Sequence, residues 1–405
     1  MRTGSIDQRP LRGHWTLDGA VRFLNHGSFG ACPAAVMAYQ AELRARLERQ
    51  PVQFFVRDLQ GLIETAREAA AAFVGADPAG FAFVPNATTG VNAVLRSLPL
   101  SPGDELLVTD HGYPACRNAV DFVAHRAGAR VVVAEIPFMG VTADAAVEAV
   151  MGAVTPRTKL ALIDHIASPT GLVLPVERLV SGLAERGVAT LIDGAHAPGM
   201  MDLDVGALGA TWYVGNFHKW TCAPKGAAFL YAASGRRTGL HPVVISHGYS
   251  TPLEGTKQSR FRTEFEWTGT HDPTAFLSVP YAIDYVGGLL PGGWAAIRRR
   301  AHAQICAAQG LLAQAMGVPR PCPPSMLGAL AAVPLPDADG PPPRSPLYVS
   351  PLQDALLRDH QIEVPIVPWP QHPRRLIRVS AAPYNTPEEY TALADALSIH
   401  FGRGR

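Results

Sequence analysis

The sequence predicts an α/β fold in which a mostly parallel sheet is covered by helices on both faces. Two patterns lead to this prediction. Between about residue 81 and residue 232, short β-rich runs alternate with alanine-rich segments of helical spacing. The short runs are apolar at successive positions, which is typical of strands buried on both faces of a parallel sheet. A chain of 405 residues is long enough to add a second domain.

The predicted strands indicate where a ligand site would lie. The first predicted strand begins at residue 81. The other predicted strands lie at 104–110, 129–136, 158–166, 188–196, 211–216 and 226–232. Helical segments follow three of them, at 115–128, 142–154 and 175–187. In sheets of this class, ligands bind at the carboxyl ends of the strands. The residues directly after each strand are therefore the candidates for a functional site.

Changes of pattern along the chain predict three regions. Residues 34–75 have helical spacing in two stretches, before the alternation of strands and helices begins. After about residue 285 the alternation gives way to a long helical stretch ending near Met316, and then to a proline-rich loop at 336–346. A strand, a turn and a capped helix end the chain. We expect an N-terminal arm (1–33) that joins the small domain, a large domain (34–285) and a smaller α+β C-terminal domain (286–405).

Composition and charge exclude several classes of function. Lysine and arginine number 35 against 34 acidic residues, and no dense basic run is present, so no nucleic acid partner is expected. No apolar run is long enough to span a bilayer, and the first residues lack the core of a signal peptide. The five cysteines are scattered without a Cys-x-x-Cys pair, which argues against a disulfide framework and a metal site. We expect a soluble, cytoplasmic protein without a metal or a membrane partner.

Three strand ends carry polar residues that could form one site. Ala87, Thr88 and Thr89 would present backbone N–H groups and hydroxyls at the start of a helix, where anions bind readily. Asp193 follows an apolar strand and could accept a hydrogen bond from a buried cationic heterocycle. Lys219 ends another strand, and an amine held in a partly desolvated pocket can act as a nucleophile or a proton shuttle.

Each of these residues also has an ordinary structural interpretation. Thr88 could cap a helix, and Asp193 could cap a turn. His196 could be a structural histidine, and Lys219 could lie along Trp220 with its ammonium group in water. Locally these interpretations are as good as the functional ones or better. Together, however, the three strand ends match the needs of pyridoxal 5'-phosphate (PLP), which requires a lysine, an acid opposite the pyridine nitrogen and an anion cradle.

Nine motifs spread over nearly the whole chain resemble those of one family. They are FLNHGSFG, NATTGVNAVL, HGYPA, SPTGLVLPV, DGAHAPGMMDLDV, GNFHKW, PKGAAFLY, WTGTHDPTAFLSVP and IRVSAAPYNT. The combination of DGAHAPG with HKW is highly specific. On these motifs the sequence resembles the class V aminotransferase family of fold-type I PLP-dependent enzymes, and within it the isopenicillin N epimerase-like branch. The resemblance implies a seven-stranded sheet with a smaller C-terminal domain.

The resemblance implies roles for the residues around the cofactor. Lys219 would form the Schiff base with PLP and later move the α-proton of the substrate. Asp193 would bind the protonated pyridine nitrogen, and His196 would lie near the phenolic oxygen. Thr88, His218 and the backbone of Ala87 and Thr89 would hold the phosphate. Tyr113, which matches a tyrosine of the epimerase-like branch, or His111, which matches a histidine of cysteine desulfurases, would stack on the ring; Tyr113 is preferred.

The resemblance also implies contacts with substrate and with a second subunit. Arg378 would pair with the α-carboxylate of a small amino-acid substrate, a task that suits a bidentate guanidinium. Asn25 and His26 would line the mouth of the site. Thr270 resembles a threonine that reaches the phosphate of the neighbouring subunit, which implies a homodimer with shared active sites. The branch often has arginine where His271 stands, so an anion contact by that arginine is not expected here.

The reaction stays open among three alternatives. Epimerisation at Cα needs a proton carrier on each face; Lys219 is one, and Tyr113, His26 and His111 are candidates for the other. β-Elimination on a cysteine conjugate or sulfoxide, by a C–S lyase, needs only Lys219 and a leaving group. The stretch before Arg378 lacks the cysteine of a desulfurase, and no GxGxxG motif supports a Rossmann oxidoreductase. We expect an epimerase, alternatively a C–S lyase, and as a second alternative an inactive cofactor-binding homologue.

Overall fold

A computed structural model of the protein describes residues 10–254, 258–343, 345 and 349–402. The strands are β1 (Arg22–Phe23), β2 (Phe81–Val84), β3 (Glu105–Thr109), β4 (Arg130–Ala134), β5 (Thr158–Asp164), β6 (Ala189–Gly194), β7 (Trp212–Asn216), β8 (Ala228–Ala232), β9 (Leu330–Leu335), β10 (Ile362–Glu363), β11 (Ile366–Pro368) and β12 (Arg375–Ser380).

Thirteen α-helices lie in the same described part of the chain. They are α1 (His26–Phe29), α2 (Ala34–Arg49), α3 (Leu59–Phe73), α4 (Ala87–Ser97), α5 (Pro114–Ala127), α6 (Ala143–Gly152), α7 (Val176–Glu185), α8 (Arg260–Glu266), α9 (Thr274–Leu277), α10 (Val279–Gly287), α11 (Gly293–Ala315), α12 (Pro351–His360) and α13 (Pro387–His400). A π-helical turn at Gln53–Asp58 separates α2 from α3. None of these helices combines the length and the apolar character that a bilayer span requires.

The centre of the fold is a seven-stranded sheet in the order β2-β8-β7-β6-β5-β3-β4. Its neighbouring strands pair in parallel except at β8, which runs antiparallel to β2 and to β7. Alternate side chains of one strand pack on opposite faces: Leu162 belongs to the core beneath α4 and α5, and Ile163 to the core beneath α3, α6 and α7. Continuous apolar runs arise because both faces are covered. The predicted α/β fold is confirmed, and each strand run predicted in this region forms a strand.

The last part of the chain forms a smaller α+β unit. Its sheet has the order β11-β12-β9 and is antiparallel throughout. The long helix α11 packs against β9 and α13. At the start of α13 the Glu389 side chain accepts the N–H of Thr386 at 3.1 Å, the reciprocal half of a capping box. The domain boundaries given above stay a prediction.

The proline-rich loop packs against a neighbouring turn. The Ala338 N–H donates to the carbonyl of Pro373 at 2.8 Å, and His372 is hydrogen-bonded to the carbonyl of Gly340 at 2.9 Å. Most of its described residues are exposed, and positions 344 and 346 lie outside the described residues. These contacts attach the loop to the turn that precedes β12.

The N-terminal arm runs from the small unit to the end of β7. Its strand β1 pairs in parallel with β10, Arg22 lying opposite Ile362. Further along, Gly30 has a φ of 71°, and a Cβ there would collide with the carbonyl oxygen of His218. The Lys225 ammonium group donates to the Gly30 carbonyl at 2.8 Å. Glycine at position 30 therefore allows the arm to pack directly on the turn that follows β7.

We expect Gly30→Ala to destabilise the protein, because alanine would meet both the left-handed backbone and the His218 carbonyl. The cost of such a conformation is about 1–3 kcal/mol before the collision is counted. Gly19→Ala, in the same arm, is the matched control, since no heavy atom lies within 4 Å of a Cβ at that position. Thermal unfolding of both variants tests this, and equal midpoints would contradict it.

Candidate active site

The site lies at one edge of the large sheet. Six strands point their carboxyl ends towards this edge, and β5, β6 and β7 are adjacent there. Asp164 ends β5, Asp193 is next to last in β6, and Lys219 follows β7 by three residues. The start of α4 reaches the same edge, because β2 runs in the direction of β7. The sheet order thus brings the three predicted strand ends together.

Lys219 is held at its backbone. Its carbonyl accepts the Nε2–H of His26 at 2.9 Å and the backbone N–H of Cys222 at 3.0 Å. Cys222 completes this turn with a φ of 59°, which few non-glycine residues adopt. Burial, and next the positive charge of Arg378, lower the pKa of the Lys219 amine to about 8. The uncharged fraction of this amine near neutral pH is therefore larger than that of an exposed lysine, although the ammonium form still predominates.

His196 links Lys219 to Trp220. Its Nε2 lies 3.2 Å from the Lys219 Nζ, and its Nδ1 accepts the indole N–H of Trp220 at 3.2 Å. The imidazole and the indole are both buried. Burial, and then the charge of Lys219, hold the pKa of His196 well below its usual range. The His196 side chain is therefore a neutral imidazole in contact with the amine.

Two carboxyl groups share the interior of this edge. Asp164 and Asp193 are paired positions of neighbouring parallel strands, and both are buried. Asp193 accepts the backbone N–H of Ala195 at 3.0 Å and the Cys116 thiol at 3.2 Å. Burial raises the pKa of both carboxyls, and the charge of Asp193 raises the pKa of Asp164 further. Asp164 is therefore the member of the pair that keeps a proton.

Arg378 lies buried on β12, facing this edge from the small unit. Its Nη1 donates to the Ser168 carbonyl at 2.7 Å and to the Ser168 hydroxyl at 3.2 Å, and its Nη2 donates to the Ser28 hydroxyl at 2.9 Å. Its Nε is buried without a hydrogen-bond partner. Burial lowers the pKa of the guanidinium to about 10, so it stays charged. The Nε–H of a permanent cation is thus left without a partner among the described residues.

Asn25 is linked to Arg378 by hydrogen bonds through Ser28. None of its hydrogen bonds in the described part of the chain is with Lys219. The Ser28 hydroxyl donates to the Asn25 Oδ1 at 2.5 Å, and the Asn25 amide donates to Glu363 at 3.2 Å. A continuous chain of hydrogen bonds therefore runs from the guanidinium through the arm to Glu363, in β10.

Some of the N–H groups at the start of α4 already form hydrogen bonds with side chains of this chain. The Ala87 N–H donates to the Asn216 side chain at 2.9 Å, and the Thr89 N–H to the Asn86 side chain at 2.8 Å. The Thr89 hydroxyl also bonds to Asn86, at 3.0 Å. Of the three residues at the start of α4 that are predicted to bind phosphate, Thr88 is the one that bonds to neither Asn86 nor Asn216.

His218 is half-buried beside the turn. Its Nδ1 donates to the carbonyl of Ala227 at 3.1 Å, so its Nε2 carries no proton while the ring is neutral. Burial, and next the charge of Lys219, lower the pKa of His218 to about 4. A hydrogen bond from this Nε2 to an anion requires the charged ring, which a nearby dianion would favour.

His26, His111 and Tyr113, the candidates for ring stacking or proton transfer, differ in how accessible they are to a bound molecule. His26 is fully buried, with Nδ1 on the Tyr384 hydroxyl at 2.9 Å and Nε2 on the Lys219 carbonyl. His111 is fully buried, with Nδ1 on the Thr170 hydroxyl and Nε2 on the Ile136 carbonyl. Tyr113 is 42% exposed at the start of α5. Only the phenol is open to an incoming molecule.

Thr270 and His271 lie on the outside of this chain. Thr270 is exposed, and His271 is half-buried with Nδ1 on the Gly269 carbonyl at 2.9 Å. Neither contacts Lys219 or Asp193 within the described residues of this chain. Their position suits residues that face outward, towards another molecule.

Sequence reasoning missed several residues of the site. The rule that ligands lie after strand ends, applied to LALIDHI, points to Asp164 as directly as it points to Asp193. Asn216 stands in the GNFHKW motif without an assigned role. Cys116, Ser28 and Ser168 carry no local signal, because their contacts depend on tertiary structure.

The residues of the site fit PLP by the chemistry of their donors. Asp193 is a buried carboxyl whose side-chain hydrogen bonds come from the Ala195 N–H and the Cys116 thiol, both uncharged donors, and a protonated pyridine nitrogen would supply a cation for it. Lys219 offers an amine of lowered pKa. No group of three or more metal-binding side chains was found among the described residues.

Comparison with known proteins places the chain in a family. The family model "Aminotransferase class-V" matches residues 31–330. Isopenicillin N epimerase of Streptomyces clavuligerus is 34% identical over 407 residues, which cover 98% of this chain and 99% of that protein. A probable chloroplastic L-cysteine desulfhydrase of Arabidopsis thaliana is 30% identical and covers 93% of this chain and 82% of that protein.

Solved structures share the fold. The cysteine desulfurase CsdA of Escherichia coli superposes with a TM-score of 0.77 at 20% identity, covering 98% of this chain and 100% of that one. The cystine C-S lyase C-DES gives 0.74 at 21% identity, covering 93% and 97%. The predicted family resemblance is confirmed: this chain belongs to the class V aminotransferase family and is a PLP-dependent enzyme.

Proposed function

We propose that the enzyme epimerises an amino acid at Cα, with the residues predicted above forming the site. The observation that carries this proposal is the position of Arg378. Its buried guanidinium lies close enough to lower the pKa of the Lys219 amine, and it retains a free Nε. A carboxylate bound there would bring the Cα of an amino acid near Lys219.

PLP, when bound, withdraws electrons from Cα and so weakens a bond at that carbon. Lys219 would hold the cofactor covalently and would accept the α-proton. Asp193 would bind the pyridine nitrogen and so keep that nitrogen protonated. Thr88 and the charged form of His218 would hold the phosphate, while His196 would donate towards the phenolic oxygen.

Epimerisation needs a second proton carrier opposite Lys219, and we assign that role to Tyr113. Both ring nitrogens of His26 and of His111 are already hydrogen-bonded inside the protein, so neither histidine is free to exchange protons with a substrate. Partial burial raises the pKa of the Tyr113 phenol, so the phenol is protonated at neutral pH. It can deliver a proton to the face opposite Lys219.

β-Elimination by a C–S lyase is the second candidate. Relatives at 30–32% identity bear the name L-cysteine desulfhydrase, and a hercynylcysteine sulfoxide lyase of Schizosaccharomyces pombe is 24% identical. This reaction needs Lys219 but no carrier on the other face. An inactive homologue is the third candidate, and the presence of Lys219, Asp193 and Arg378 argues against it.

We also propose a homodimer in which Thr270 faces the partner's phosphate site. Its exposure supports this arrangement. So does a run of exposed apolar side chains in the segment before α8, formed by Val243, Val244, Ile245 and Tyr249.

The reaction is tested by incubating L-amino acids and cysteine conjugates with enzyme in deuterated water. Epimerisation predicts inverted, α-deuterated product without keto acid, while pyruvate and ammonia would establish the lyase. We expect Tyr113→Phe to abolish inversion but to retain α-deuteration by Lys219 on one face. Equal inversion by Tyr113→Phe would contradict the role of Tyr113, and no turnover of any amino acid would favour the inactive homologue.

We expect the purified enzyme to show the visible absorption band of a Schiff base and to lose it in Lys219→Ala. Borohydride reduction should fix the cofactor to the wild-type chain and not to the variant. Lys225→Arg is the matched control, because Lys225 lies in the same turn and donates to the Gly30 carbonyl. Fixation of the cofactor in Lys219→Ala would refute this assignment.

We expect Arg378→Lys to lower kcat/KM by about tenfold to a hundredfold, mainly through KM. A hydrogen bond to a charged group contributes about 1.5–3 kcal/mol, and lysine cannot reproduce the planar fork. Arg375→Lys is the control, since Arg375 begins the same strand and donates to the Pro336 carbonyl at 2.8 Å. Unchanged steady-state kinetics in Arg378→Lys would remove Arg378 from the substrate site.

A further inference from the structure

We infer that Trp220 is a positioning residue that fixes His196 in the tautomer protonated at Nε2 and thereby favours the uncharged form of the Lys219 amine over its ammonium form. This inference rests on the proposed role of Lys219. The tautomer itself is a property of the protein without its cofactor, so it can be measured separately.

The geometry allows one arrangement of protons. The indole N–H of Trp220 can only donate, so the His196 Nδ1 that it meets at 3.2 Å must accept and cannot carry a proton. A neutral imidazole then carries its single proton on Nε2. That proton is directed at the Lys219 Nζ, 3.2 Å away. The amine can accept it only through the lone pair of its uncharged form.

The indole is fixed on several sides. Its ring lies 4.9 Å from the ring of His26, centroid to centroid, and Trp220 is 5% exposed. Gly199, with a φ of 88°, packs against the Trp220 backbone so closely that a Cβ would collide with it. The Gly199 contact fixes the backbone of Trp220, and rotation of the indole away from His196 would break its packing on the His26 ring. The donor is therefore held in place while the amine reacts.

The other titratable groups around Lys219 and His196 do not determine the tautomer of His196. The groups that act on Lys219 and His196 from the surrounding elements are Arg378, Asp193, Asp164, Cys116, His26 and His218. Among them the carboxyls and the thiol favour the charged amine, and Arg378 disfavours it. None of them bonds to His196 within the described residues. The tautomer of His196 is thus set by Trp220.

Substitution by phenylalanine keeps the ring packing and removes the donor. In Trp220→Phe the imidazole can move its proton to Nδ1, and Nε2 can then accept from a charged Lys219. A hydrogen bond to a charged group shifts a pKa by about one unit or more. We expect the pKa of Lys219 to rise by about one unit. Recombination of cofactor-free protein with PLP should then slow about tenfold at neutral pH, with its pH profile displaced upwards.

A double-mutant cycle separates this role from a structural one. Glutamine at position 196 has no tautomers, and its amide N–H can donate to Lys219 with or without the indole of Trp220. Trp220→Phe should therefore shift the pH profile of PLP recombination in the wild-type background and not in His196→Gln. Trp212→Phe is the matched control, because Trp212 is 7% exposed and its indole N–H donates to the Arg236 carbonyl at 3.4 Å. Equal shifts in both backgrounds, or a shift in the control, would overturn the inference.

Nitrogen-15 NMR of cofactor-free, histidine-labelled protein provides the direct readout. The His196 signals are assigned by their loss in His196→Gln. We expect a protonated Nε2 and an unprotonated Nδ1 in the wild type, and a change towards the other tautomer in Trp220→Phe. A wild-type Nδ1 that carries a proton would overturn the inference even if the variant does not fold. Failure of Lys219 to bind PLP, with the expected tautomer present, would instead refute the proposed function alone.

Discussion

The backbone carbonyl of Lys219 is the point on which the site depends. It accepts one hydrogen bond from the His26 imidazole in the N-terminal arm and another from the Cys222 N–H in its own turn. These bonds fix the direction in which the side chain leaves the end of β7. The distances from Lys219 to His196 and to the carboxyl pair follow from that direction. A lysine with four rotatable bonds would otherwise sample many positions.

The balance of charge in the site follows from burial. Lys219 and Arg378 stand opposite Asp164 and Asp193 in a region from which water is largely excluded, so each charge acts strongly on the others. Asp164 relieves the repulsion between the two carboxyls by keeping a proton, and the lowered pKa of Lys219 makes its amine easier to deprotonate. In the proposed site, one carboxylate would then remain for a cationic ring and one guanidinium for an anionic substrate.

Sequence reasoning was most successful where the chain repeats a simple pattern. Apolar runs identified the seven strands because burial on both faces favours apolar side chains at successive positions, and the strand-end rule pointed to Asp193 and Lys219, whose roles stay predictions. Contacts between distant segments gave no such pattern. The two-residue pairing of β1 with β10 and the contacts of Arg378 with Ser28 and Ser168 join positions more than 200 residues apart. The hydrogen bonds of His26 and His111 also depend on tertiary structure, since His26 bonds to Tyr384 and His111 bonds to Thr170.

The contacts of Arg378 have a consequence for selectivity. Both terminal nitrogens of the guanidinium bond to a serine, so a group that approaches these nitrogens competes with serine oxygens, whereas the Nε–H has no partner to displace. A carboxylate gains from this exchange, since a charged acceptor replaces a neutral one. A carboxamide or an ester offers only another neutral acceptor and gains little. If Arg378 binds the substrate as proposed, Ser168 and Ser28 would favour ligands with a free carboxylate over their uncharged derivatives.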